Sequence, residues 1–325
     1  MSLKKAVREA AENKSLADEI KAKDKLIEQL EKQLHESRQA SYSIKRTKRR
    51  KRKRGDFIRI VIPDTHGCFM EQDAAAAMFA DIEQLKPREI VMLGDHLECG
   101  NMLAQHHTAS YVAQVESKGY TFEKDIAAAN TLLDKLQELA PNADIHYLEG
   151  NHEARIEKYC VTAAKRSGAE NQGKEADHLM KLYGTEYVLF LEKRGIHFYK
   201  QGKFYMGLGL PSTIKLGECA FVHGISTAQS AAAVHLSRFG CCVVYGHTHR
   251  MDSHHAKTIS AGNIGAWSPG CLCKLQPLWC HQRPTNWAHG YGVQLVSASG
   301  TFLHINVPIH KGTSYLTLLT DRLGE

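Results

Sequence analysis

The stretch Phe57-Ile58-Arg59-Ile60-Val61-Ile62-Pro63-Asp64-Thr65-His66-Gly67 passes from a short apolar segment directly into Asp, His and Gly. Its first six residues are few, apolar and β-rich, so they read as a buried strand that delivers the polar residues at its end. The arrangement recurs. Glu89 to Leu93 runs into Gly94-Asp95-His96-Leu97-Glu98, and Asp144 to Leu148 into Glu149-Gly150-Asn151-His152-Glu153. Cys219 to His223 runs into Gly224, and Cys242 to Tyr245 into Gly246-His247-Thr248-His249. Between them Asp73 to Leu85 and Thr121 to Leu139 read as helices, the second closed by Pro141. Strands alternating with helices predict an α/β domain. Gly292 to Ser297 and Thr301 to Val307, joined through Ser-Gly, predict a hairpin that adds antiparallel strands.

Five strand ends carrying Asp, Asn or His are expected to converge on one edge of a sheet, where open α/β sheets place their sites. Carboxylate oxygen and imidazole nitrogen without thiolate suit Mn, Fe, Zn or Ni. Seven such donors are too many for one four-coordinate ion. Two ions about 3.5–4 Å apart that share a bridging carboxylate account for the number, and such a pair can hold a hydroxide while clamping an in-line phosphoryl displacement.

In this order the segments resemble the signature of the calcineurin-like metallophosphoesterases: Asp64-Thr65-His66, Gly94-Asp95-His96-Leu97-Glu98, Gly150-Asn151-His152-Glu153, His223 and Gly246-His247-Thr248-His249. The resemblance covers about Phe57 to Val307. It implies a four-layer α/β/β/α sandwich of two mixed sheets and two divalent ions, with Mn²⁺ the first choice in vitro. By the same resemblance, one ion is held by Asp64, His66, Asp95 and His249, and the other by Asp95, Asn151, His223 and His247. Asp95 then bridges, a metal-bridging hydroxide attacks phosphorus, and His152 is the catalytic histidine. Glu98 and Glu153 are implied to orient histidines rather than to bind metal. The chain departs from the family where protein-phosphatase members carry G-D-x-x-D-R-G. It reads Glu98-Cys99-Gly100, so the phosphate-gripping arginine is absent, and Arg155 is the candidate replacement, its planar fork suiting phosphate oxygens beside Asn151. Ser268-Pro269-Gly270-Cys271 and the following Leu272 to Trp287 resemble a loop of phage- and prophage-encoded members, in which Trp279 and Trp287 are candidates to stack on bases.

The chain has 325 residues, 43% hydrophobic and 24% charged, which excludes a wholly disordered or collagen-like protein. Residues 1–56 carry 18 Lys and Arg against 9 Asp and Glu, while the rest carries 24 against 26, so the basicity belongs to the N-terminal part. Three pieces follow: a helical segment over 1–44, a basic linker over 45–55 and a metallophosphoesterase domain over 56–325. Ile20, Ile27 and Leu34 lie seven apart, with Leu16 and Leu30 on the same seam, which predicts a short coiled coil and a homo-oligomer through residues 16–34. Residues 45–54 hold nine basic residues in ten, and nucleic acid is their expected partner through backbone phosphates.

Nine cysteines, an odd number that includes the adjacent Cys241 and Cys242, fit reduced thiols. Cys271, Cys273, Cys280 and His281 form a weaker candidate for a structural zinc, and His106-His107 and His254-His255 read as exposed polar residues. No apolar run long enough to span a membrane stands out, and Met1 to Lys14 lacks the apolar centre of an export signal, so a cytoplasmic protein is expected, in the host cytoplasm if phage-encoded. The expected activity is hydrolysis of a phosphodiester in nucleic acid. The alternatives are a small-molecule phosphatase or nucleotidase, and a non-catalytic oligomeric nucleic-acid-binding protein.

Overall fold

The computed structural model describes residues 3–42, 44–46, 55–100, 102, 119–168, 171–201, 212–277 and 284–318. Residues 47–54 of the basic run, His106, His107, Trp279, Cys280 and His281 lie outside the described residues. The chain falls into two compact units, Met1–Ser43 and Ile44–Glu325. The first contains α1 (Leu3–Ala40), a single helix of 38 residues on which Leu16, Ile20, Ile27, Leu30 and Leu34 are between 41% and 56% exposed. Among the described residues no helix is long and apolar enough to cross a membrane.

The second unit is an α/β fold of two mixed sheets. It begins β1 (Phe57–Ile62), α2 (Gln72–Leu85), β2 (Glu89–Met92), α3 (Phe122–Leu139), β3 (Asp144–Leu148), α4 (Ala154–Arg166), α5 (Gln172–Tyr183) and β4 (His197–Tyr199). It continues β5 (Thr213–Leu216), β6 (Cys219–Val222), α6 (Ala231–Phe239), β7 (Cys242–Tyr245), β8 (Met251–Thr258), β9 (Gly262–Pro269), β10 (Gly290–Val296), β11 (Phe302–His310) and β12 (Thr313–Ser314). The first sheet has the order β12-β11-β10-β1-β2-β3-β4, and the second β5-β6-β7-β9-β8. β1 to β4 run parallel, as strands joined through helices must, whereas β10 and β11 form the expected antiparallel hairpin.

The alternation of side chains along a strand builds the layers. Val61, Val91, Leu93 and Leu148 of the first sheet interlock with Ile214, Cys219, Phe221 and Val244 of the second, all at most 7% exposed. The other face of the second sheet, Ala220, Val222, Val243 and Tyr245, is covered by Ala231, Ala232 and Leu236 of α6. α2 lies over β10 and β11 of the first sheet and beside α3. Thr121 caps α3, its hydroxyl accepting the Lys124 N–H. Arg59, charged within an apolar strand, is satisfied in the buried interior: Nη2 donates to Glu89 Oε2 at 2.6 Å and Nη1 to Gln294 Oε1 at 2.7 Å. This frame fixes the C-terminal ends of β1, β2, β3, β6 and β7.

Candidate metal centre

The turns after β1, β2 and β7 place four ligand-type residues in the left-handed backbone region: His66 at φ 52°, Asp95 at 52°, His247 at 66° and His249 at 55°. Non-glycine residues rarely occupy it, and such strain collects at functional sites. Hydrogen bonds hold the turns. The N–H groups of Thr65 and His66 both donate to Asp95 O, and the Leu272 N–H donates to Asp64 O at 2.8 Å. Glycine is required at position 94, where φ is +102° and a Cβ would lie 2.6 Å from Gly150 N.

All seven residues expected at the site come together. His249 Nε2 is 3.1 Å from Asp64 Oδ2 and 3.1 Å from His66 Nε2. The His66 and His152 rings are 4.5 Å apart. His223 Nε2 lies 3.2 Å from Asp95 Oδ2 and 2.9 Å from Asn151 Oδ1. Asp95, His223 and His247 form one group whose ligand atoms lie within 4.8 Å of one another, and His66, Asp95 and His152 form another. Asp64 also accepts the His247 N–H at 3.0 Å.

Neighbouring acceptors set the imidazole orientations. His66 Nδ1 is 2.6 Å from Glu98 Oε2, so its Nε2 lone pair faces the cluster, and His223 Nδ1 donates to Leu93 O at 3.0 Å, which turns its Nε2 toward Asp95 and Asn151. Burial disfavours the charged form of Asp64 and Asp95, but the imidazoles outweigh it: His249 and then His223 hold Asp64 below the usual carboxylate range, and His152 and then His223 do so for Asp95. Burial, assisted by His152, lowers the pKa of His66, and burial with His223 lowers that of His247 to about 4. Burial opposes a charged His223 and a charged His249, but Asp95 raises the first to about 10 and Asp64 raises the second. Ionised carboxylates and imidazole nitrogens converging in one buried pocket make a donor set that fits a divalent cation of intermediate softness.

His152 and Arg155 stand at the edge of the cluster. His152 Nδ1 donates to Glu98 O at 2.8 Å, and Arg155 Nη2 donates to His152 Nε2 at 2.8 Å. Burial opposes a charged His152, but Asp95 and Glu98 outweigh it and raise its pKa to about 9, with Arg155 opposing. Arg155 is itself buried, at 8% exposure, and donates also to Glu98 O.

Three residues were not expected in their actual places. Glu153 bonds to no imidazole among the described residues. Instead its carboxylate accepts the N–H groups of Asp95, His96, Leu97 and Gly150 and the Tyr147 hydroxyl, which ties the β2 and β3 turns together. Asp125 of α3 accepts the N–H groups of Glu98 and Cys99, both at 2.9 Å. Cys273 groups with His66 and His249, its Sγ 3.9 Å from His249 Nδ1, while Cys280 and His281, the other members of the zinc candidate, lie outside the described residues. The Trp287 ring stands 4.0 Å from the His249 ring, in edge contact at the side of the cluster. The eight cysteines among the described residues are free.

No protein-family profile matches the chain, and no curated protein does. Similar solved structures include Vacuolar Protein Sorting 29 from Cryptosporidium parvum, 10% identical over 80% of this chain and 95% of that one, with a TM-score of 0.39. Vps29 from Chaetomium thermophilum is also 10% identical, over 79% of this chain and 90% of that one, at 0.37. YfcE, a phosphoesterase from E. coli, is 15% identical over 77% of this chain and 98% of that one, at 0.30.

Proposed function

We propose that the chain is a metal-dependent phosphoesterase of the calcineurin-like kind, with two divalent cations and a phosphodiester of nucleic acid as substrate. The observation that carries this reading is the facing pair of His66 Nε2 and His249 Nε2, 3.1 Å apart beside Asp64. With Nδ1 of His66 committed to Glu98, its Nε2 lone pair points at a second ring nitrogen beside the Asp64 carboxylate, a convergence of donor atoms that would suit a cation.

Asp64, His66, Asp95 and His249 would hold one cation, and Asp95, Asn151, His223 and His247 the other. When bound, such cations supply Lewis acidity to phosphoryl oxygens and lower the pKa of water. The chain's own residues do the rest. Glu98 and Leu93 O fix the imidazole tautomers. Arg155, whose guanidinium already reaches His152 Nε2, offers its fork to a phosphate oxygen. Transfer of that donor to an anionic substrate frees Nε2 to take up a proton from solvent, which Asp95 and Glu98 stabilise, and His152 then delivers that proton to the departing oxygen. Nine basic residues among positions 45–54 support a polyanionic substrate, and the seam at Leu16, Ile20, Ile27, Leu30 and Leu34 supports self-association of the 1–44 segment.

Turnover of bis-p-nitrophenyl phosphate and of p-nitrophenyl phosphate, each with Mn²⁺ and after EDTA, tests the reading. The diester is expected to be cleaved faster, and only with metal. Preference for the monoester would mark a phosphatase or nucleotidase, and no turnover of either with metal bound would leave a non-catalytic binding protein.

A further inference from the structure

Asp125, in the first turn of α3, is fully buried and makes no hydrogen bond to a candidate metal ligand among the described residues. Its carboxylate is where two turns meet. Oδ2 accepts the N–H groups of Glu98 and Cys99, both at 2.9 Å, and the Tyr120 hydroxyl at 3.1 Å. That hydroxyl accepts the Gly100 N–H at 2.9 Å. Three consecutive N–H groups after β2 therefore end on one side chain, directly or through Tyr120. Oδ1 faces the turn after β1 and accepts the Cys68 N–H at 3.4 Å. Gly67 lets the carboxylate come this near, because a Cβ there would overlap Asp125 Oδ1.

The turn after β2 needs such an anchor, since Cys99 holds φ at 51°, a region uncommon for a residue with a Cβ. Backbone bonds from Thr65, His66 and Gly67 reach Asp95 and His96, and the link farther along, at Glu98, is made by Asp125. Glu98 is in turn the partner of three functional groups. Its Oε2 lies 2.6 Å from His66 Nδ1 and 3.2 Å from His152 Nδ1, and its backbone O accepts from His152 at 2.8 Å and from Arg155 at 3.2 Å. The imidazole of His223 has a different support, Leu93 O.

We propose that Asp125 is a positioning residue for one half of the metal centre: by holding the Glu98 backbone against the β1 turn it sets the Glu98–His66 contact, and with it the affinity for the cation that His66 would hold. The inference rests on the metal-dependent reading above. An amide cannot stand in for the carboxylate. With its single acceptor oxygen at the place of Oδ2, the NH₂ of Asp125→Asn meets the Cys68 N–H donor to donor, and turned over it meets those of Glu98 and Cys99. Either way one of the two turns is released.

The test is Mn²⁺ titration of the full chain against a fluorescent chelator, with Asp125→Asn placed in a His223→Ala and in a His66→Ala background. In His223→Ala, which retains the His66 half, Asp125→Asn is expected to weaken binding at least about tenfold, the lower end of what support behind a ligand contributes. In His66→Ala the change is expected to stay below about twofold, because effects at uncoupled sites add. Equal weakening in both backgrounds, weakening in neither, or weakening in His66→Ala alone overturns the proposal. So does a background variant that binds no ion, since the two halves would then be inseparable. A wild-type chain that binds no Mn²⁺ overturns the metal-dependent reading itself. If Asp125→Asn fails to fold by thermal melting, Tyr120→Phe takes its place. It removes only the hydroxyl that joins Gly100 to Asp125, and the same criteria apply with a weakening of at least about twofold expected in His223→Ala.

Discussion

Glu98 Oε2 and His66 Nδ1 meet at 2.6 Å in a contact where each side chain is 1% exposed. The carboxylate keeps the proton on Nδ1, and so decides which nitrogen of His66 faces Asp64, His249 and Asp95. Glu98→Gln keeps the shape and loses the charge. It is expected to weaken metal affinity 10–100-fold, as loss of a supporting partner behind a ligand does, measured by competition with a fluorescent chelator. Asp95→Asn, which changes the shared carboxylate itself, is expected to lower metal content outright. Unchanged affinity in Glu98→Gln would mean that His66 is not a ligand.

His152→Ala is expected to retain metal and to slow ester cleavage by a factor on the order of 10²–10⁴, the usual worth of a positioned proton donor. Metal analysis by mass spectrometry alongside steady-state rates separates the two effects. Loss of metal in this variant would make His152 a ligand with His66 and Asp95.

Gly94→Ala would put a Cβ 2.6 Å from Gly150 N on a backbone at φ +102°. Neither turn can retreat, because both are bonded to Glu153. The substitution is expected to cost more than about 1 kcal/mol, read as a fall in melting temperature of at least about 2 °C. An unchanged midpoint would show that the turns are looser than their hydrogen bonds imply.

Burial pulls the pKa of His304 from 6.5 down to about 4, with the Asn306 contact opposing. Between those values the unfolded chain binds a proton that the folded chain does not, so stability rises with pH across the window and is lost as pH falls from about 6.5 toward 4. The contribution is on the order of 1 kcal/mol per pH unit. Urea melts of the wild type and of His304→Phe at several pH values isolate it, the variant showing the shallower dependence. Equal slopes would mean that His304 is already charged in the fold.

Removal of residues 1–55 is expected to leave turnover of a small ester intact and to weaken binding of single- and double-stranded DNA or RNA, with a smaller salt slope. Fluorescence anisotropy at several salt concentrations measures both. A salt slope that survives truncation would reduce the basic run to a linker.

The architecture was legible where burial speaks loudly. β1 reads Phe-Ile-Arg-Ile-Val-Ile because both its faces are covered, and β3, β7 and the two central helices announce themselves in the same way, within a residue of their observed ends. The second sheet was only half visible. β8, Met-Asp-Ser-His-His-Ala-Lys-Thr, is an edge strand with most side chains exposed, and β9 carries two glycines, so neither shows an apolar run or a clean alternation. The metal-type residues were readable because each follows a strand. Asp125 and the actual role of Glu153 were not, since their partners are largely backbone N–H groups, which are much the same at every position and leave no mark in a sequence. Cys273 reaches His249 through the return of the chain from β9, a tertiary fact that spacing does not encode.

The Glu153 carboxylate receives amides from two separate strand ends at once. Those ends are therefore mechanically a single part. Asp95, His96 and Leu97 cannot breathe away from the sheet without dragging Gly150, and the neighbouring Asn151 and His152, along. A disturbance on either side is felt as loosening of the whole cradle, so the pocket should open cooperatively rather than fray one corner at a time.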